Sequence, residues 1–301
     1  MKLIKPSFEI WEQPAGLEGV YKQIERVGRV CYKSEDKITE DSAKPFVDRM
    51  IKSGHGAMLE HGTVYLHFHI GENEPLGVDM YLMNPYSKVM FCQHSETKEF
   101  DIYVTTNLRV LVENGWLGDL QYICEPTEFH EKRITAHFVC DRGVSHEFVR
   151  HRVMSFAQES TRYCNYSKDK FGNELTFIIP CWLDIPTGQY QYWDGDWCGI
   201  NKMKVQLPEG EHKDIDAFLW TLSNAEMQYT LLINSGWKPQ EARAVLPNSL
   251  KTELVVTGFT SDWNHFFDLR ARGTTGVPHP QAKELAEPLM KEFIVRKYIN
   301  N

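Results

Sequence analysis

The stretch Arg150–Tyr163, RHRVMSFAQESTRY, gathers three arginines, a histidine, two serines, a threonine, a glutamine and a glutamate into fourteen residues. Guanidinium forks and hydroxyls are the groups that phosphates bond to best. The composition therefore suits a pocket for an anionic ligand better than a helix that only fills a core. A basic surface helix, ion-paired to the acidic excess elsewhere, is the rival reading. If 143–154 is helical, Glu147, Arg150, His151 and Met154 share one face, and Arg152 points roughly 200° away from Arg150. The two arginines of the triplet then serve different neighbours.

Other chemistry-bearing residues are weaker candidates. His55, Glu60 and His61 invite a metal reading, with His67 and His69 close by on one face of a strand. Yet H-x4-E-H is no established zinc spacing and a third ligand would have to be assumed, so no metal site is expected. Cys181, between Pro180 and Trp182, ends an apolar stretch and reads as a packed thiol. Ser160 has no His/Asp partner at a recognisable position, which favours an anion ligand over a nucleophile.

The elements that must position these residues follow from periodicity. Helices are expected at Val20–Tyr32, at Asp41–Ser53 (stopped by Gly54) and at Asn107–Asn114 (stopped by Gly115). Further helices are expected at 143–154, Asp214–Ser235, Gln240–Val245, Trp263–Ala271 and Gln281–Val295. Thr63–Ile70 alternates as a half-buried strand does, and Phe100–Val104, Arg133–Cys140 and Glu174–Pro180 are strand-like. Glu253–Gly258 reads as strand or buried helix, and 55–61 as loop. Two stretches, about 71–132 (opening on the polar run GENEP) and about 182–212, look like peripheral insertions. The sum is one α+β domain over 1–301.

The totals narrow the partners. Apolar residues make up 42% and charged residues 25% of the 301, as in ordinary globular proteins. Net charge is −8, so a broad nucleic-acid surface is disfavoured and a local anion pocket for a nucleotide fits better. The seven cysteines are odd in number and scattered, without a CxxC pair, which argues against a disulfide framework. MKLIKPSFEIWEQP lacks the apolar run of a signal peptide, and no later stretch approaches a membrane span. A cytoplasmic location, without membrane or nucleic-acid partners, is the expectation.

Read together, RHRxxS and SxRY (Arg150, His151, Arg152, Ser155; Ser160, Arg162, Tyr163) resemble the signature of the flavin-dependent thymidylate synthases. Other elements resemble that family in order: SGHxxxxEH at Ser53–His61, ARxxLP at Ala242–Pro247, and HFFxLR at His265–Arg270. The resemblance implies a central sheet flanked by helices and a homotetramer with sites shared between subunits. It also implies methylation of dUMP to dTMP, with 5,10-methylenetetrahydrofolate as carbon donor, FAD as cofactor and NADPH as reductant.

By position, Arg270 is implied as the catalytic group. Glu147, Arg150, Gln158, Glu159, Ser160, Thr161, Arg162, Arg243 and Arg270 are implied around dUMP. His55, Ala57, Arg150, His151, Arg152, Gln158, Phe259, Thr260, Ser261 and His265 are implied around FAD. Glu147 stands where some relatives have glutamine, and a carboxylate beside a phosphate requires an arginine partner. The alternative is a non-catalytic nucleotide or RNA phosphate-binding module.

Overall fold

The structure, a computed structural model, describes residues 1–71, 77–94, 99–168, 172–199, 203–207 and 213–300. The chain opens with strands β1 (Lys2–Ile4) and β2 (Ser7–Trp11), then helices α1 (Gly16–Tyr32), α2 (Ala43–Lys52) and α3 (Gly56–Leu59). There follow β3 (Thr63–Ile70), α4 (Asp79–Leu82), β4 (Lys88–Gln93), β5 (Phe100–Asn107) and α5 (Leu108–Asn114). Then come β6 (Arg133–Asp141), α6 (Arg142–Phe148), β7 (Ser155–Gln158) and β8 (Thr176–Ile178). Short strands β9 (Gly188–Gln189), β10 (Gln191–Trp193) and β11 (Asp196–Cys198) precede α7 (Lys213–Asn234) and α8 (Pro239–Ala242). Strand β12 (Lys251–Phe259) leads into α9 (Thr260–Phe267), and α10 (Pro280–Val295) closes the chain.

The class is α+β, and among the described residues the strands fall into four sheets rather than one central sheet. The largest runs β2-β6-β12-β7 with every neighbour antiparallel. The others are β3-β5-β4, β8-β1-β9 and the β10-β11 ribbon. Division follows from pairing: β3 spends its whole length on β5, from Thr63↔Asn107 to Ile70↔Phe100. Lys251–Phe259 resolves as strand because nine consecutive residues pair with β6 while Thr257–Leu254 pair with β7. Its β-branched run, TELVVT, suits such a doubly paired strand.

The 71–132 stretch is not peripheral. Its Val78, Tyr81, Ile102, Val104, Leu108 and Leu111 share one apolar core with Val20 and Ile24 of α1 and Phe46 and Val47 of α2. α1 and α2 lie close because Gly28 has no side chain; a Cβ there would meet the Phe46 ring at 2.5 Å. Most of GENEP lies outside the described residues, as do 200–202 and 208–212 of the second expected insertion. The rest of that insertion forms β9 to β11 and buries Trp197 and Cys198.

Three local expectations are corrected. The 55–61 segment contains the helical turn α3 rather than only loop. The 143–154 helix stops at Phe148, so Arg150, His151 and Arg152 do not sit on a helical face. Phe148 and Met154 are both buried, and Ser155 must reach Thr257 to start β7. A helix advancing only about 1.5 Å per residue could not deliver it there. Cys181 is exposed rather than packed, because β8 ends at Ile178 and the chain turns, with the Leu183 amide donating to the Pro180 carbonyl at 3.0 Å.

Helices α6, α9 and α10 cover one face of the large sheet. Phe138, Phe148, Trp263, Phe266, Phe267 and Phe293 pack there with no exposed surface. The Trp263 indole also donates to the Ile134 carbonyl at 3.0 Å, locking α9 to β6. This aromatic block fixes both ends of the segment that carries Arg270. Among the described residues, no helix is long and apolar enough to cross a membrane.

Candidate active site

Arg270 lies just beyond α9, where the helix widens into a π-helical turn, Asp268–Arg272. Such turns insert an extra residue and are frequent at functional sites. Gly273 ends the turn in the left-handed region, φ 72°, and a Cβ there would meet the Gly276 carbonyl at 2.9 Å. The turn aims Arg270 at the end of α6. Its Nη1 donates to Glu147 Oε2 at 2.9 Å and its Nη2 to the Glu147 carbonyl at 2.7 Å. Its Nε is buried without a partner.

The arginine partner that a carboxylate at position 147 requires is therefore Arg270. Helix α6 is oriented for this contact by Asp141, which accepts from the Val144 amide at 2.7 Å as a cap and from Gln281 at 2.7 Å. Burial lowers the Arg270 pKa; Glu147 opposes that and the nearby Arg150 adds to it. The arginine stays charged in any case. An open groove of about 600 Å³, lined by Glu147, Arg150, Leu269, Arg270 and 275–279, adjoins the pair. A second groove of about 360 Å³, reaching Asp141, Trp182 and Ser249, shares Glu147 and His279 with it.

Beside this pair lies His151, 6% exposed, with neither ring nitrogen partnered. Its ring sits 5.7 Å from His265 and 5.0 Å from Phe266. Arg150, Arg152 and His265 are exposed around it. Burial, with help from Arg270 and His265, lowers the His151 pKa to about 4. A second buried histidine, His61, is lowered to about 3 by burial and by Arg133.

Both histidines take up a proton in the unfolded chain before they do in the folded one. Below pH about 6.5 the unfolded state binds more protons, so stability falls as pH decreases. Between pH 7.5 and 5 each should remove about 2 kcal/mol. Urea unfolding midpoints measured at those two pH values test this. The midpoint should drop at pH 5, and His61→Asn should flatten the dependence; pH-independent midpoints would refute it.

The Gln158–Arg162 segment is positioned by a different part of the sheet. The Gln158 amide group donates to Ser145 Oγ at 2.8 Å and Thr252 Oγ1 at 3.2 Å. Backbone bonds from Glu159 N to the Glu253 carbonyl (2.8 Å) and from Ser160 N to the Cys31 carbonyl (3.0 Å) pin the turn to β12 and α1. Thr161 is buried and its hydroxyl accepts from Arg243 Nη1 at 3.1 Å. Arg162 and Arg243 are exposed and Ser160 is half-buried, so these three present a cationic, hydroxyl-bearing edge.

Glu159, expected on the ligand side, faces inward. Its oxygens accept from Tyr166 at 3.0 Å and from Lys251 at 2.8 Å, and its side chain is 1% exposed. Lys251 also pairs with Glu253, which in turn is held by Lys33 and by His137 at 2.9 Å. Burial would raise the Glu253 pKa, but the His137 hydrogen bond and the Lys251 and Lys33 charges outweigh it and hold the carboxyl well below the usual range. The sequence reading missed Lys33, His137, Lys251 and Glu253. The available signal was Lys251 and Glu253 at alternate positions of a strand, which puts two charges on one face.

The remaining candidates are spread out. His55 and Ala57 are exposed at the start of α3. Glu60 pairs with Arg109, and His61 Nδ1 lies 2.8 Å from Thr257 Oγ1, so these two side chains of the H-x4-E-H stretch face different partners. Phe259 is buried, its ring 5.5 Å from the Arg133 guanidinium and 5.6 Å from Lys88 Nζ. Thr260 is half-buried and Ser261 exposed, and the Ser261 amide donates to Glu131 at 3.0 Å. The groove that holds Arg270 is lined by none of Gln158–Arg162 or Arg243.

Comparison with known proteins places this geometry in context. The family profile described as thymidylate synthase complementing protein matches residues 124–295, more than half of the chain. The flavin-dependent thymidylate synthase of Pyrococcus furiosus is 30% identical over 131 residues, 44% of this chain and 43% of that protein. That of Corynebacterium aurimucosum is 23% identical over 284 residues, 93% of this chain and 78% of that protein. The chain thus spans under half the length of the first of these relatives. A crystal structure of the UMP/dUMP methylase PolB from Streptomyces cacaoi bound with 5-Br dUMP is 17% identical, with TM-score 0.43, covering 98% of this chain and 93% of that one.

Proposed function

Because this chain belongs to the thymidylate synthase complementing protein family, we propose that it methylates dUMP to dTMP as a flavin-dependent thymidylate synthase, with 5,10-methylenetetrahydrofolate as carbon donor and NADPH as reductant. The Arg270–Glu147 pair carries this reading. It is a guanidinium held by a carboxylate and a backbone carbonyl at the edge of an open groove. Uracil C5 becomes nucleophilic when negative charge develops at N3 or O4 of the ring. A fixed guanidinium stabilises that charge without giving up its own proton.

Around this centre, Arg150, Ser160, Arg162 and Arg243 would hold the nucleotide, chiefly its phosphate, with Gln158, Glu159 and Thr161 keeping the turn in place. The donor set also fits FAD. His151 offers two unpartnered ring nitrogens beside aromatic faces, and exposed Arg150, Arg152 and His265 surround it. His55, Ala57, Gln158, Thr260 and Ser261, with Phe259 as packing beneath, would complete that surface. When bound, FAD would supply the redox chemistry that links NADPH to the new methyl group. We further propose a homotetramer in which the Arg270 groove of one subunit meets the Ser160–Arg162 and Arg243 edge of another; light scattering of the purified protein tests it.

The direct test is tritium release from C5-labelled dUMP with FAD, NADPH and methylenetetrahydrofolate present. Release is expected. Nucleotide binding without release would favour the non-catalytic phosphate-binding module, and protein left colourless by added FAD would count heavily against the proposal. Cys181→Ala should retain nearly full turnover, since the thiol is exposed on a turn outside the Arg270–Glu147 pair. Loss of turnover in that variant would point to a cysteine nucleophile instead.

A further inference from the structure

The β3-β5-β4 sheet buries one face in the core shared with α1 and α2, and its other face carries a group of side chains that the proposed reaction does not use. His69, Asp101 and Cys92 stand level across the three strands. His67, Tyr103 and Met90 form the neighbouring row. Just past β4, the His94 amide donates to the Glu99 carbonyl at 3.0 Å and so continues the ladder. Side chains two residues apart on a strand share a face. Three histidines, a cysteine and an aspartate therefore come together although no sequence spacing unites them.

Their side chains converge on Asp101. His69 Nδ1 and His67 Nε2 each lie 3.0 Å from its Oδ1, and His94 Nε2 lies 2.8 Å from its Oδ2. The ligating atoms of His69, His94 and Asp101 all fall within 4.8 Å of one another. The group has a rigid back wall. His67 stacks on Tyr103 at 4.7 Å with an interplanar angle of 6°. Phe129 stacks against the same tyrosine at 4.9 Å and His130 meets it edge-on at 5.2 Å.

Surface ion pairs repay little of the side-chain entropy they cost. His69 and His94 are about half exposed, so hydrogen bonds to one carboxylate give weak reason for both rings to converge there. A cation held by all three would give a strong one. Two imidazoles and a carboxylate suit first-row divalent transition ions rather than Mg²⁺ or Ca²⁺, which prefer all-oxygen sets. Three protein ligands also leave a position open. We propose that His69, His94 and Asp101 bind a first-row divalent transition cation, with Zn²⁺ as the reference ion, and that His67 orients Asp101 from outside the ligand set. The ion would join β3, β4 and β5 across their outer face.

The test uses the full chain without a histidine tag, stripped with a chelator and titrated with Co²⁺. One equivalent should bind with the visible d–d absorption of a four- or five-coordinate ion, and Zn²⁺ should displace it. Zn²⁺ should also raise the thermal midpoint, because the assembled site would bind it more tightly than the unfolded chain does. His94→Ala and His69→Ala should each weaken binding by about a hundredfold or more, and His67→Ala by about tenfold, the range for a group that orients a ligand. His146→Ala, an exposed histidine elsewhere, should bind as the parent does. Absence of the absorption band in the parent chain, or equal Co²⁺ affinity in a His69→Ala/His94→Ala variant whose chelator-treated thermal midpoint matches the parent, would overturn the proposal.

Discussion

Arg270→Ala is expected to lower turnover of dUMP about a hundredfold, the effect of losing about 3 kcal/mol of charge stabilisation. The side chain is only 16% exposed and is fixed at two nitrogens by Glu147, so it needs little reorganisation when charge develops on a ring in the groove. Arg270→Lys should recover only part of the loss. A single ammonium cannot reproduce both Glu147 contacts and still reach the groove. Glu147→Gln should cost less, because the carbonyl contact to Nη2 survives. If Arg270 acts in the transition state, the fall should appear in kcat more than in KM. Tritium release over a range of dUMP concentrations separates the two, and an unchanged kcat in Arg270→Ala would sink the assignment.

Lys251→Ala is expected to destabilise the protein by about 3–5 kcal/mol, since removing one partner of a buried pair strands the other charge. Glu159 would be the stranded group. It is 1% exposed and, among the described residues, would keep one hydrogen bond, from the Tyr166 hydroxyl, with the Lys33 charge nearby, whereas Glu253 retains direct contacts to Lys33 and His137. Because Glu159 lies inside the 158–162 segment, dUMP binding should weaken as well. The double change Lys251→Met/Glu159→Gln should restore much of the stability, because the buried charge is then gone from both sides. Urea unfolding of the parent and the two variants decides it. A Lys251→Ala midpoint close to the parent would mean that water or a shifted side chain already shields Glu159.

Much of the element plan could be read from one dimension. Thr63–Ile70 alternates cleanly and forms β3 over those very residues. Asn107 and Gly115 bracket α5 as cap and stop, with Asn107 accepting from the Val110 amide and Gly115 at φ 76°. These are local effects, set by side-chain periodicity and by the backbone freedom of a few residues. The RHR triplet was misplaced on a helix for a non-local reason. Its neighbours Phe148 and Ser155 are claimed by the aromatic core and by β12, and strand pairing outweighs local helical preference. The strands β1 and β2 went unread because each is short and depends on partners far along the chain, Thr176–Ile178 and Thr135–Val139.

The sequence by itself determined the candidate chemistry: which arginines, histidines and hydroxyls were present, and the ordered motifs that resemble one enzyme family. Chemical type belongs to each residue and can be read wherever the chain carries it. Only the tertiary structure decided their company. It paired Glu147 with Arg270 across 123 positions, turned Glu159 inward onto Lys251, and set His69, His94 and Asp101 around one point from a three-stranded sheet. Coulombic attraction, burial and metal-ligand geometry act on distances in space. Those distances arise only when strands remote in sequence are brought into register.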